Sequence, residues 1–97
     1  NPKLGPAYEL LGNMYASERN CGSNDFENKT VYWAAVDMFY KAKQADPELE
    51  EKMNTLIDSY SQYFPTKEDI FFHDLKEGDT YTVGCWINER TSVRARK

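Results

Sequence analysis

The sequence has no run of about 18 apolar residues, the minimum for a membrane-spanning helix, so no segment of it reads as a membrane span. Histidine occurs once, at His73, and cysteine twice, at Cys21 and Cys85. Imidazole-assisted thiol chemistry therefore has one candidate base, with Cys85 and His73 as the pair to weigh, and a disulfide framework is limited to one bridge. Basic residues are in deficit, 12 against 16 acidic, for a net charge of -4. A general nucleic-acid binder needs clustered Lys and Arg to neutralise phosphates. The one basic cluster, Arg90, Arg94, Arg96 and Lys97, reads as a solvated tail. Also missing are an initiator methionine and an N-terminal signal peptide. The chain starts inside a pattern, so the expectation is a piece of a longer protein whose targeting segment lies elsewhere.

What is present suits one soluble domain. At 97 residues, 40% hydrophobic and 29% charged, the chain has material for a single modest core and not for two.

The first fifteen residues, NPKLGPAYELLGNMY, overlay DPELEEKMNTLIDSY at residues 46–60. Pro2 falls on Pro47, Leu4 on Leu49, Leu11 on Leu56 and Tyr15 on Tyr60, an offset of 45. Repeats of this length signal stacked structural units. Between the copies lies YWAAVDMFYKAKQADP, in which Ala35, Phe39, Ala42 and Pro47 follow an A-x3-F-x2-A-x4-P spacing. Ahead of it Tyr8, Leu11, Gly12 and Tyr15 follow Y-x2-L-G-x2-Y. The small residues let two antiparallel helices approach, and the large ones fill the space beside those contacts. Pro2 and Pro47 suit helix starts.

In these positions the chain resembles the tetratricopeptide-repeat family, with Tyr8 in place of the family's Trp. The resemblance covers about residues 1–64. It implies a mainly α fold, a fragment of an antiparallel helix-pair solenoid: one full repeat plus a terminal helix over about 48–63. The offset of 45 exceeds the usual period of about 34, which places an insertion between the paired helices in SERNCGSNDFENKT, residues 17–30. Rich in Asn, Ser and Gly, that segment reads as a solvated loop. In the terminal helix Met53, Leu56, Ile57, Tyr60 and Phe64 form a stripe facing the preceding pair, and Pro65 ends it.

Residues 65–97 read as a C-terminal cap. Thr66 with Asp69 predicts an N-cap opening a short helix to about Leu75. The alternation of Tyr81, Val83, Cys85 and Ile87 against Thr82, Gly84 and Trp86 predicts two strands, near 80–84 and 90–95, turning through Asn88. An isolated hairpin is marginal in water, so it is expected to pack on the last helices through Phe71, Phe72, Tyr81 and Trp86. The ending is similar to that of bacterial tetratricopeptide proteins of the cell envelope, which favours a periplasmic or envelope location, with the cytoplasm as the alternative. In an oxidising compartment Cys21 and Cys85 would be close enough to pair.

For function, catalysis fits poorly. His73 neighbours Asp74, with Glu68 and Asp69 a turn earlier, but no glycine-rich elbow or oxyanion donor set surrounds Cys85. The expectation is no enzyme, with His73 on the surface. Asn24, Asp25, Glu27 and Asn28 gather oxygens in one loop, yet without the calcium-loop spacing. No metal or cofactor is expected. Asn28-Lys29-Thr30 is a glycosylation sequon, set aside on the bacterial likeness.

The resemblance implies peptide or protein binding on a concave surface made of the first helix of each repeat: here Glu9, Asn13 and Ser17, then Asn54 and Asp58. Asn13 matches the family's carboxylate clamp, whereas Glu9 stands where a Lys is expected and would repel a carboxylate. The groove would then prefer neutral or basic segments, the chain's own basic tail among them. The implied role is a non-catalytic interaction scaffold or adaptor with a protein partner. The alternative is a purely structural end cap of a longer repeat protein.

Overall fold

The computed structural model describes residues 4–18 and 22–96; Pro2, Cys21 and Lys97 fall outside them. In chain order the elements are α1 (Leu4–Ala16), α2 (Asp25–Lys29), α3 (Val31–Ala45), a 3-10 turn (Pro47–Leu49), α4 (Glu50–Ser61), α5 (Lys67–Phe72), β1 (Thr80–Thr82) and β2 (Arg90–Ser92). Among the described residues the fold is mainly helical, with one two-stranded antiparallel sheet.

Helix α3 is the centre, and its composition explains why. Val31, Trp33, Ala35, Val36, Phe39 and Ala42 are all buried. They cover far more than one stripe, so α3 must be surrounded by other elements. Helix α1 lies against it in antiparallel sense. A Cβ built on Gly5 would sit 2.6 Å from the Cβ of Asp46, beyond the far end of α3, and one on Gly12 would sit 2.6 Å from the Phe39 ring. The expected small-residue contact at Gly12 is present. Helix α4 also runs antiparallel to α3: Lys43, late in α3, bonds Asn54, early in α4, while Tyr32 stacks with Tyr63 at the opposite ends. Helices α1 and α4 are consequently parallel to each other, joined by a Glu9 to Lys52 ion pair of 2.6 Å.

The start of α4 follows local chemistry. Asp46 accepts a hydrogen bond from the Glu48 N–H, Pro47 opens the 3-10 turn, and Glu50 and Glu51 occupy the first α turn, where the helix dipole favours acidic side chains. The anticipated stripe faces inward, with Met53, Ile57 and Phe64 buried and Leu56 and Tyr60 packed beside them. Thr66 caps α5 by accepting from the Asp69 N–H, as predicted. That helix ends in a Schellman arrangement: Leu75 N–H bonds Ile70 O and Asp74 N–H bonds Phe71 O, with Asp74 at φ 61°.

The hairpin pairs Thr80 with Ser92, Tyr81 with Thr91 and Thr82 with Arg90. Its inner face sets Tyr81 against Trp33, centroids 5.6 Å apart, and Thr91 against Asp37. Arg94 then reaches back to Asp37 at 2.9 Å and to the Trp33 carbonyl at 3.0 Å.

Four expectations are corrected. Phe71 and Phe72 do not hold the hairpin: they are 81% and 83% exposed, because the short α5 directs one residue, Ile70, inward. Trp86 is half exposed and packs on the first helix and not on the last ones, against Tyr15 of α1 at 5.4 Å. The strand alternation stops at Thr82; Cys85 at φ 53° and Asn88 at φ 44° turn the chain, leaving Cys85 exposed and Ile87 buried. Segment 17–30 is not wholly a solvated loop either. It contains α2, capped by Asn24, whose Phe26 is buried against Trp33 and Tyr81.

Replacing Gly by Ala in an exposed helix gains about 1 kcal/mol, but at Gly12 the added methyl meets a fully buried Phe39 ring. Gly12→Ala is expected to destabilise the chain by about 1–3 kcal/mol and to lower Tm; a raised Tm in a thermal melt would refute the close contact.

Candidate functional site

Five residues were expected to share one concave surface, and the fold divides them. Glu9, Asn13 and Ser17 follow one another at four-residue intervals along α1 and its C-terminal turn, so they lie on one face. Glu9 is engaged with Lys52. Ser17 donates its hydroxyl to the Met14 carbonyl at 2.9 Å. Asn13 and Ser17, with Ala16, Tyr32, Tyr60 and Tyr63, line a hollow of about 310 Å³. It sits where the C-terminal ends of α1 and α4 approach over the start of α3.

Asn54 and Asp58 do not reach this hollow. Asn54 accepts from the Lys43 ammonium at 2.7 Å. Asp58 lines a different hollow, of about 290 Å³, beside Tyr40, Phe64, Arg94 and Ala95. The offset of 45 carries Glu9 onto Asn54 and Asn13 onto Asp58, but α4 reaches α1 through Lys52, and Tyr60 and Tyr63 border the hollow that Asn13 and Ser17 line. The basic tail is likewise committed elsewhere: Arg94 binds Asp37, and Arg96 donates its backbone N–H to Pro65 O and its side chain to Phe64 O.

The tyrosines are what the sequence reading missed. Tyr32 and Tyr63 have centroids 5.3 Å apart and Tyr32 and Tyr60 5.9 Å, both stacked. Tyr60 stacks in turn on the buried Phe39 at 5.7 Å. A tyrosine just past a helix end, as at Tyr63, with another a turn before it at Tyr60, was the available signal.

The residues weighed for catalysis and metal binding have structural partners. His73 is exposed and stacks on Phe26 at 4.0 Å. Cys85 is disulfide-bonded and so holds no thiol for nucleophilic attack; its expected partner, Cys21, lies outside the described residues. In the 24–28 segment, Asn24 Oδ1 accepts from the Glu27 N–H, Asn28 Oδ1 from the Gly22 N–H, and Glu27 Oε1 from both the N–H and hydroxyl of Ser23. Among the described residues no group of three or more His, Cys, Asp or Glu is placed to hold a metal ion, and no helix is long and apolar enough to cross a membrane. Tyr15 and Tyr81 are pushed above the ordinary phenol range, chiefly by burial and secondarily by the nearby carboxylates of Glu89 and Glu27. Both phenols pack against other rings and stay protonated at neutral pH.

No family model, curated protein or solved structure matches the chain. Its functional reading rests on its own residues.

Hydrogen bonds from Ser23, backbone first, hold the Glu27 carboxyl below its ordinary 4.5. A lowered folded-state value means that the stabilisation is complete above the ordinary value and lost as pH falls through the lowered one. NMR titration should therefore show Glu27 ionising below the ordinary glutamate range. Ser23→Ala should move it up towards that range, and an unchanged midpoint would remove the hydroxyl from the explanation.

Proposed function

We propose that the chain is a non-catalytic protein-interaction module of tetratricopeptide type, seating a partner's extended segment on the face where α1 and α4 run side by side. The observation that carries this is the tyrosine-lined hollow at their C-terminal ends, edged by Asn13 and Ser17. Support for the repeat reading comes from α1 and α4 themselves. They lie parallel on a common antiparallel α3, and the offset of 45 maps the end of one, Ala16, onto the end of the other, Ser61. Concave, largely preformed sites with a few placed polar groups are where proteins take ligands, and tyrosine with serine and asparagine is a composition suited to adaptable contact. A net charge of -4 supports a protein over a nucleic-acid partner.

One observation favours the end-cap role as a second reading. Ala7, Leu10 and Met14 face outward on α1, Leu10 at 62% exposed, whereas their offset equivalents on α4 are Lys52, Thr55 and Ser59. The same helix written twice exposes apolar side chains in its first copy where its second carries polar ones, of which Lys52 reaches back to Glu9 of α1. Such polarity suits a stack that is covered on the α1 side and ends at α4.

Binding studies separate the two readings. In affinity capture followed by titration of the captured partner, Asn13→Ala with Tyr63→Ala should weaken binding at least about fivefold. Asn54→Ala with Asp58→Ala should leave it unchanged. Equal binding by both double variants would favour the end cap. The disulfide at Cys85 supports an exported location, in the periplasm or cell envelope, and we assign its partner as Cys21, the chain's other cysteine. Thiol labelling of the unfolded, unreduced monomer should find no free thiol; one labelled cysteine per chain, with disulfide-linked dimers on a gel, would show that the bridge joins two chains.

A further inference from the structure

The turn that joins the two strands is held in two different ways. Val83 and Ile87 are buried in the core, and the turn closes on itself through the bonds from Val83 N–H to Glu89 O at 2.9 Å and from Asn88 N–H to Gly84 O at 3.3 Å. Cys85 and Trp86, between those anchors, are exposed. Trp86 lies on Tyr15 of α1 and donates its indole N–H to the Glu18 carboxylate at 2.7 Å. Cys85 is disulfide-bonded. Its neighbour Gly84 lines one small hollow together with Gly22, the neighbour of Cys21, so the described residues bring the surroundings of the two cysteines together.

Two observations mark this bridge as one that a reductant can open. Exposed or strained disulfides are the labile ones, whereas structural bridges resist reduction, and Cys85 is exposed. It also sits at φ 53°, in the left-handed region that disfavours residues other than glycine. The larger contacts of the fold do not run through the bridge. Helix α1 meets α3 at Gly12 and Phe39, α2 is anchored by its buried Phe26, and the hairpin is held by its strand pairing and by Arg94 on Asp37 and Trp33. What the bridge adds is a covalent tie from the outer part of the turn to the stretch between α1 and α2.

We infer that the Cys21–Cys85 bridge is a redox-sensitive strap. Oxidised, it keeps Trp86 seated on α1; opened, it lets residues 84–86 lift while Val83 and Ile87 stay in the core, so that Tyr15 and the Trp86 indole become an apolar surface. The reductant is a protein or small molecule carrying two neighbouring thiols. One of its thiolates attacks the Cys85 sulfur, the bond between the two cysteine sulfurs breaks, and Cys21 leaves as a thiolate. The second thiol then displaces Cys85, so that two electrons and two protons pass to the cysteines and the reductant becomes a disulfide. The bridge also closes a long loop, so opening it lowers the stability of the whole chain. The strap operates whether or not the tyrosine hollow seats a partner.

The two tryptophans report the outcome separately, because the Trp86 indole bonds Glu18 at the strap and the Trp33 indole bonds Arg94 O in the core. Dithiothreitol is added to the oxidised 97-residue chain without denaturant, thiols are counted by labelling, and both indole N–H signals are followed by NMR. Both cysteines are expected to label, with the signals of Trp86 and Tyr15 shifting and that of Trp33 staying in place. Cys21→Ser with Cys85→Ser should show the shifted Trp86 signal from the start and no response to dithiothreitol. Reduction that occurs only once denaturant unfolds the chain overturns the strap, as does a Trp86 signal that stays put when both thiols are free. Movement of both indole signals to unfolded positions makes the bridge a staple of the whole fold and overturns the proposal too. So does reduction that splits a dimer, since the bridge then joins two chains.

Discussion

The guanidinium of Arg94 is the junction on which the rest of the molecule depends. Its Nη2 reaches Asp37 at 2.9 Å, Thr91 Oγ1 at 2.9 Å and the Trp33 carbonyl at 3.0 Å, its Nε reaches Ser92 O, and its Cζ lies 5.4 Å from the centre of the Phe64 ring. Trp33 answers by donating its indole N–H to the Arg94 carbonyl at 2.9 Å. A two-stranded hairpin is marginal alone, and a half-buried ion pair is worth little by itself. Here one group satisfies acceptors on α3 and β2 and lies over the Phe64 ring between α4 and α5, so the contacts stand or fall together. Burial of Trp33, Val83 and Val93 follows from that junction, since it holds the hairpin over the side of α3 that α1 and α4 leave open.

The same arrangement shapes the face assigned to binding. Hairpin and C-terminal chain occupy one side of α3, taking up Asp58 and the basic residues that had been expected to serve a groove. What stays open is the opposite seam, where Asn13 and Ser17 meet the tyrosines. Its lining among the described residues is aromatic with polar Asn13 and Ser17 at the rim, and Glu9 and Lys52 nearby satisfy each other.

Helical periodicity made α1, α3 and α4 legible. Gly12 announced a close approach, Thr66 and Asp69 announced α5, and Met53 with Ile57 announced the buried side of α4. Side chains whose placement depends on distant partners were not legible. Phe71 and Phe72 look like core from local sequence, yet α5 is too short to turn them inward. Phe26 sits in a polar stretch and looks solvated, yet Trp33, Tyr81 and His73 surround it. Alternation from Tyr81 to Ile87 reads as one strand, whereas a left-handed Cys85 breaks it. The candidate site was partly anticipated: Asn13 and Ser17 were named from the repeat resemblance, whereas the tyrosines that line the hollow with them come from two other helix ends.

The bond from Trp33 to Arg94 spans 61 residues and that from Trp86 to Glu18 spans 68. Helices α1 and α3 leave the ribosome well before residues 90–96 do. Until those residues arrive the indole of Trp33 has neither its acceptor nor its cover, and the helices can form only a partly wet assembly. Long-range closure of this kind slows folding and lengthens exposure of apolar surface. The order of synthesis thus makes the hairpin the latch of the domain, and the interval before it shuts is when the chain is most open to misassociation.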